Sequence, residues 1–314
     1  MQRLEHRGRI DPQLIALMPW KLAFGHFNDH VWLDRSICAE KRTPACAGMV
    51  SDFLMESEKP ALVLLHGGAA SGMAWRDVVP LVSRYHQVYA PTAPGHRGGP
   101  PVPRRPMTAT DLVDWAERYL DEQGLQRPHL VGHSMGGYLA IELARRGRAA
   151  TVCAFAPGGF WASGDGLRAR TLSRALRGAG TARLIRPIMP LVLKSPMVRR
   201  RMFQDGACHG DRISAQRGVE IFDDFLGCTV THEVFSTDDE QIAPLDPLPC
   251  PITVAWSEKD VIVPVADYGP NARQRLPQAT FVSLPDVGHD PMMDDPELVA
   301  QTILSVTAAE TPRA

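Results

Sequence analysis

His129-Leu130-Val131-Gly132-His133-Ser134-Met135-Gly136-Gly137 is the stretch whose reading decides the fold. It opens as a short apolar run, and Met135 to Arg146 reads as a helix, so the segment is strand, turn, helix. At the turn stands Gly-x-Ser-x-Gly, from Gly132 to Gly136. A serine on a sharp, strained turn needs neighbours without side chains, and the flanking glycines supply them. Such a turn lifts the Ser134 hydroxyl above a sheet. It also sets the hydroxyl at a helix N-terminus, where backbone N–H groups favour an anion. The plainer alternative is a serine that merely caps the helix. The strand before and the helix after favour a nucleophile.

Upstream, Ala61-Leu62-Val63-Leu64-Leu65 is a continuous apolar run ended by His66-Gly67-Gly68, which suits a strand buried on both faces. A helix is expected over about 73–84, a strand over 86–90 and a Pro/Gly loop over 91–106. Thr110 is a plausible N-cap for a helix reaching Leu120. Downstream, 150–155 reads as a strand, and then the alternation breaks. Helix-like segments near 166–178, 181–193, 196–204 and 211–226 follow with no convincing strand among them. Alternation resumes with strand 252–256, a helix near 265–275, strand 280–284 and a closing helix, 296–306. Strands alternating with helices imply an α/β protein, its mostly parallel central sheet flanked by helices. The division expected is a core of 59–157 and 245–314, a helical lid of 158–244 inserted between two core strands, and a segment 1–58 that shows no clear period. Ligands of such sheets bind outside the carboxyl ends of the strands, so a lid leaving and re-entering there would roof the crevice.

A serine hydroxyl is a weak nucleophile and needs a base. His289, in Asp286-Val287-Gly288-His289-Asp290, follows the last expected strand and precedes the last helix, and Gly288 allows a tight loop. The imidazole needs an acid that fixes its tautomer. Asp260 sits just past the preceding strand, with Glu258 and Asp286 as rivals. Glu258 falls early in its loop, and Asp286 is expected to point elsewhere. A tetrahedral intermediate needs two donors for its oxyanion. The N–H groups of Met135 and Gly68 are the candidates, unless the glycines at 67 and 68 only form a turn.

These residues resemble the α/β-hydrolase superfamily, in its lid-bearing branch of esterases, monoacylglycerol-type lipases, cofactor-free perhydrolases and carbon–carbon bond hydrolases. The resemblance rests on His66-Gly67-Gly68, Pro94-Gly95-His96, Gly132 to Gly137, Trp256 to Asp260 with Val261-Ile262-Val263-Pro264, and Gly288-His289, and it spans about 60 to 310. It implies the α/β-hydrolase fold and a triad of Ser134, Asp260 and His289. Members with an aspartate nucleophile, dehalogenases and epoxide hydrolases, are disfavoured by the serine at 134. The function expected is hydrolysis of a carboxylic ester or related activated carbonyl through an acyl-Ser134 intermediate. Carbon–carbon cleavage or perhydrolysis with the same triad is the alternative. A binding module closing over a small ligand is the alternative from another class.

Phe160 and Trp161, where the chain should leave the core, would line an acyl or aromatic substrate pocket or else anchor the lid. Ile188, Met189, Leu191, Val192 and Leu193 look like the apolar face of a lid helix. His26, Asp29 and His30 have helical spacing, but no third clear ligand accompanies them, so no metal and no cofactor are expected. A net charge of -1 gives no field for nucleic acid or an anionic membrane. The local arginines from Arg168 to Arg201 read as solvated helix faces. Six cysteines lack CxxC spacing and read as free thiols. No run approaches the ~20 apolar residues of a membrane span. A cytoplasmic protein acting on a small molecule with an apolar or aromatic part is the expectation.

Overall fold

Alternate side chains of β1 (Ala61–Leu65) enter two separate cores, Leu62 and Leu64 one, Val63 and Leu65 the other. A strand buried on both faces needs helices on both, which is why its sequence is apolar throughout. The computed structural model describes residues 59–164, 166–175, 179–236 and 240–308. Contacts divide the chain into Met1–Glu56 and Ser57–Ala314, and the described residues all belong to the second unit. The expectations for residues 1–58, with His26, Asp29 and His30, lie outside the described residues.

β2 (Gln87–Tyr89), β3 (His129–His133), β4 (Val152–Phe155), β5 (Ile252–Ser257) and β6 (Thr280–Leu284) join β1 in one sheet of order β2-β1-β3-β4-β5-β6. Every neighbouring pair is parallel. From β1 the chain moves outward to β2 and then crosses back to β3 on the other side of β1. The strand order therefore reverses between β1 and β3, and a crevice opens at their carboxyl ends. His66-Gly67-Gly68 leaves one strand there and Ser134 leaves the other.

The helices flank both faces. α1 (Val79–Val82) and α10 (Pro296–Thr307) cover the side of Leu62 and Leu64. α2 (Ala109–Glu122), α3 (Met135–Arg145) and α9 (Val265–Arg275) cover the side of Val63 and Leu65. The helix expected over 73–84 is broken. A 3-10 turn spans Gly72–Trp75, and α1 starts afresh with Pro80 in its first turn. Proline has no N–H to continue an existing helix, so it begins a new one. The N-cap of α2 is Thr108 rather than Thr110: its hydroxyl accepts the Asp111 N–H while the Asp111 carboxylate accepts the Thr108 N–H.

Between β4 and β5 run α4 (Leu167–Ala175), α5 (Ala179–Ile185), α6 (Met189–Val192), α7 (Pro196–Phe203) and α8 (Ala215–Gly227). They enclose a small core of their own around Ala182, Met189, Leu193 and Phe222. The apolar face expected over 188–193 is split: Met189 and Leu193 are buried, whereas Ile188 and Leu191 are exposed. α6 is only four residues long, with Pro190 in its first turn, and so short a helix cannot turn all five residues inward. Two of the arginines here are not solvated faces. Arg199 is buried and donates to the carbonyls of Leu193, Lys194 and Asp211, and Arg186 pairs with Asp223. No helix among the described residues is long and apolar enough to cross a membrane.

Candidate active site

Ser134 occupies the turn between β3 and α3 with φ 52° and ψ −111°, a conformation that costs a non-glycine residue on the order of 1–3 kcal/mol. Packing enforces it. The Ser134 N–H donates to the Phe155 carbonyl of β4 at 2.9 Å, and the Ser134 carbonyl accepts from Tyr138 and Gly158. A Cβ at position 132 would lie 2.0 Å from the Gly136 carbonyl oxygen, and one at 136 would lie 2.1 Å from that of Leu65. Both glycines are therefore required by contact as well as by the turn.

His289 and Asp260 come together from the loops after β6 and β5. His289 Nδ1 lies 2.8 Å from Asp260 Oδ2, and the other carboxylate oxygen accepts the Ile262 and Val263 N–H groups at 2.8 Å each. A carboxylate so held accepts from Nδ1–H and leaves Nε2 free to take a proton. Burial alone would raise Asp260, but the charge of His289, its hydrogen bond and the two N–H groups hold the carboxyl below its usual range. Burial also opposes a charge on His289. The Asp260 carboxylate and then Asp290 outweigh it and hold the imidazole above its ordinary range.

The rivals are elsewhere. Glu258 accepts from Ser283 Oγ at the surface, and Asp286 pairs with Lys259 and His209. The loop carrying His289 is fixed by Asp294, whose carboxylate accepts the N–H groups of Gly288, Cys208 and His209, and by the Asp290 N–H donating to the Gly206 carbonyl. His133 donates from Nε2 to the His289 carbonyl at 2.8 Å. Burial, and then the neighbouring His289, push its own pKa down to about 3, so it stays neutral. His66 is likewise held near 3, by burial and then by His96, and its Nε2 accepts the Ala93 N–H. Both serve as ties between loops.

Ser134 and His289 line a cavity of about 820 Å³, bounded on the sheet side by Gly68 and Met135 and on the other by Met202, Phe222 and Phe225 of the helical insertion. Gly68 and Met135, the expected oxyanion donors, line the same cavity as Ser134. Trp161 lines the cavity, and Phe160 does not. The Phe160 ring is wholly buried in the core, 6.4 Å from that of Trp256. Gly159, with φ 93° and no room for a Cβ against Tyr138 and Ile242, turns the chain so that the two aromatics part.

Asp290 and Asp294 were missed in the sequence. Asp290 lines the cavity, where burial and then the nearby Asp260 and Asp294 charges, set against His289, push its carboxyl up to about 6. Its adjacency to His289 was the available signal; for Asp294 there was none. No group of three His, Cys, Asp or Glu suited to a metal ion occurs among the described residues.

A sequence model of the Alpha/beta hydrolase family matches residues 62–302. Epoxide hydrolase EphH of Mycobacterium tuberculosis is 28% identical over 202 residues, covering 63% of this chain and 94% of that one. The 2-hydroxy-6-oxo-6-phenylhexa-2,4-dienoate hydrolase of Burkholderia cepacia is 25% identical over 243 residues, covering 73% and 81%. Among solved structures, the hydrolase of that same name from Rhodococcus sp. strain RHA1 aligns with a TM-score of 0.63 at 20% identity, covering 80% of this chain and 91% of that one. An esterase from Thermogutta terrifontis aligns at 0.58 and 23%, covering 80% and 90%.

Proposed function

Because the chain belongs to the alpha/beta hydrolase family, we propose that Ser134, His289 and Asp260 are a catalytic triad that hydrolyses a carboxylic ester or related activated carbonyl. The observation that carries this reading is the buried His289–Asp260 pair, joined at 2.8 Å, with His289 on the wall of the cavity that Ser134 also lines. Asp260 holds the proton on Nδ1, so Nε2 takes the Ser134 proton as Oγ attacks the carbonyl carbon. The N–H groups of Gly68 and Met135 receive the oxyanion. The imidazolium then protonates the leaving alcohol, and water attacks the acyl-serine by the reverse path.

The helices between β4 and β5 act as a lid over the crevice, and the cavity they close is of the size that takes a small organic molecule. Its walls of Phe222, Phe225, Met202 and Trp161 suit an acyl or aromatic group. Epoxide opening is not proposed. The resemblance ties it to an aspartate nucleophile, and position 134 is serine.

A panel of p-nitrophenyl esters of increasing chain length, run beside Ser134→Ala and with a fluorophosphonate probe, tests the reading. The wild type turns over esters and takes the probe at Ser134; the variant loses turnover by orders of magnitude and is not labelled. Unchanged turnover in the variant refutes the assignment. The dienoate hydrolases among the relatives favour a second reading, carbon–carbon cleavage of a vinylogous diketone by the same residues. Turnover of such a diketone with inert esters would select it.

A further inference from the structure

Cys228 stands at the end of α8 and lines the same cavity as Ser134, beside His96, Val230 and Thr231. His96 comes from the loop after β2 and is buried. Its Nδ1 lies 3.1 Å from the Pro94 carbonyl, which can only accept, so Nδ1 carries the proton and Nε2 is the acceptor. The His96 side chain acts on Cys228 and favours its thiolate. The Thr231 hydroxyl donates to Sγ at 3.1 Å, and the Val230 backbone also faces the sulfur.

The meeting is built into the fold. Gly95 accepts the Thr229 N–H at 2.8 Å, and a Cβ on Gly95 would lie 2.5 Å from Val230. The charged group nearest in sequence, Asp224, is occupied by Ser71 and Arg97; behind His96 stands His66, which is neutral. Burial opposes ionisation of the thiol, but His96, Thr231 and Val230 together outweigh it and bring Cys228 down to about 7. Cys208 is the contrast: partly exposed as well, it is held above its ordinary value by burial and then by Asp294.

We propose that Cys228, paired with His96 in the cavity wall, is a second nucleophile of this protein, one that captures apolar α,β-unsaturated carbonyl compounds as thioethers. The thiol proton passes to His96 Nε2 as Sγ bonds to the β-carbon. The double-bond pair moves toward the carbonyl as an enolate, and the enolate takes the proton back from the imidazolium at the α-carbon. Thiol and enone thus combine with no other reactant. Phe222, Phe225 and Val234 line the same cavity and select apolar electrophiles. An adduct there fills the cavity and blocks ester turnover, and only this last consequence rests on the esterase reading.

The test is to treat the full chain with benzalacetone at pH 7 and to map adducts by peptide mass. A thiol near 7 is about half ionised at that pH and an ordinary thiol, at ~8.5, about 3%, while the weaker nucleophilicity of the more acidic thiolate trims the gap to roughly three-fold. Cys228 is therefore expected to react at least about three-fold faster than Cys208, whose thiol is held above the ordinary value. Cys228→Ser removes the adduct, and His96→Asn moves the pH midpoint of labelling upward. In concentrated urea, which needs no variant, the advantage over Cys208 vanishes. Equal rates at the two cysteines in the native protein, or an unmoved pH profile in His96→Asn, overturn the proposal. Mass counts adducts whether or not esters react, so a failed ester panel leaves this result readable.

Discussion

Replacing Asp260 by asparagine keeps its shape and removes its charge, and the structure allows the consequence to be worked through atom by atom. Oδ1 accepts the Ile262 and Val263 N–H groups, and an amide oxygen preserves both bonds. The second oxygen becomes an NH2 group facing His289 Nδ1, where a donor now meets a donor. The imidazole responds by moving its proton to Nε2, the atom that must be free to accept from Ser134. The Asp260 side chain is fully buried and that of His289 is 7% exposed, so water has little access to substitute for the lost acceptor. In the general Ser-His-Asp template this change costs about 10⁴ in kcat. A loss of about 10³ to 10⁴ is expected here, equivalent to ~4–5.5 kcal/mol of barrier at 1.36 kcal/mol per decade. The pH profile gives a second reading. The wild-type imidazole is held above its ordinary range by Asp260, and activity requires it neutral, so activity falls as the pH drops through that raised value. In Asp260→Asn the acidic limb moves to lower pH. Initial rates of p-nitrophenyl ester hydrolysis from pH 5 to 9 measure both effects, with Glu258→Gln and Asp286→Asn as surface controls within about two-fold of wild type. A variant within ten-fold of wild type, or an acidic limb that stays in place, refutes the role given to Asp260.

Gly136→Ala would force a Cβ to 2.1 Å from the Leu65 carbonyl oxygen. Backbone cannot yield as a side chain does, so a loss of about 3 kcal/mol is expected, visible as a Tm lower by on the order of 10 °C. Asp294→Ala strips the acceptor from the Gly288, Cys208 and His209 N–H groups. About 3 kcal/mol of stability should go, and kcat should fall more than KM rises because the loop that aims His289 loosens. Phe160→Ala and Trp161→Ala each remove a buried core ring and should both lower stability, but they should differ in KM. Each costs about 3–5 kcal/mol in denaturant melts, and only the second, which lines the cavity, raises KM for bulky acyl esters.

What could be read in the sequence, and what could not, follows from the range of each force. The turn at Ser134 announces itself because its strain is local: Gly132 and Gly136 must be glycine for contacts made within the strand, the turn and the adjoining strand. The strands of the parallel sheet are legible for a similar reason, since burial on both faces demands an unbroken apolar run such as Leu62 to Leu65. The break at Pro80 and the cap at Thr108 were also local, one a missing N–H and the other a threonine three residues before Asp111. The helix expected over 73–84 runs through Pro80, and the expected cap, Thr110, lies two residues inside the true one. The remainder has no local signature. Whether Phe160 or Trp161 meets the cavity depends on how Gly159 fits against Tyr138 and Ile242, and Ile242 lies at the far end of the helical insertion. The aim of His289 depends on Asp294 and Gly206, groups whose partners are chosen only after the insertion has packed against the loop behind β6. That dependence has a mechanical consequence. The segment 206–209 is bonded both to the insertion's own helices and to the loop that carries His289. A shift of the insertion would therefore be transmitted to the imidazole through Asp294 and Asp290.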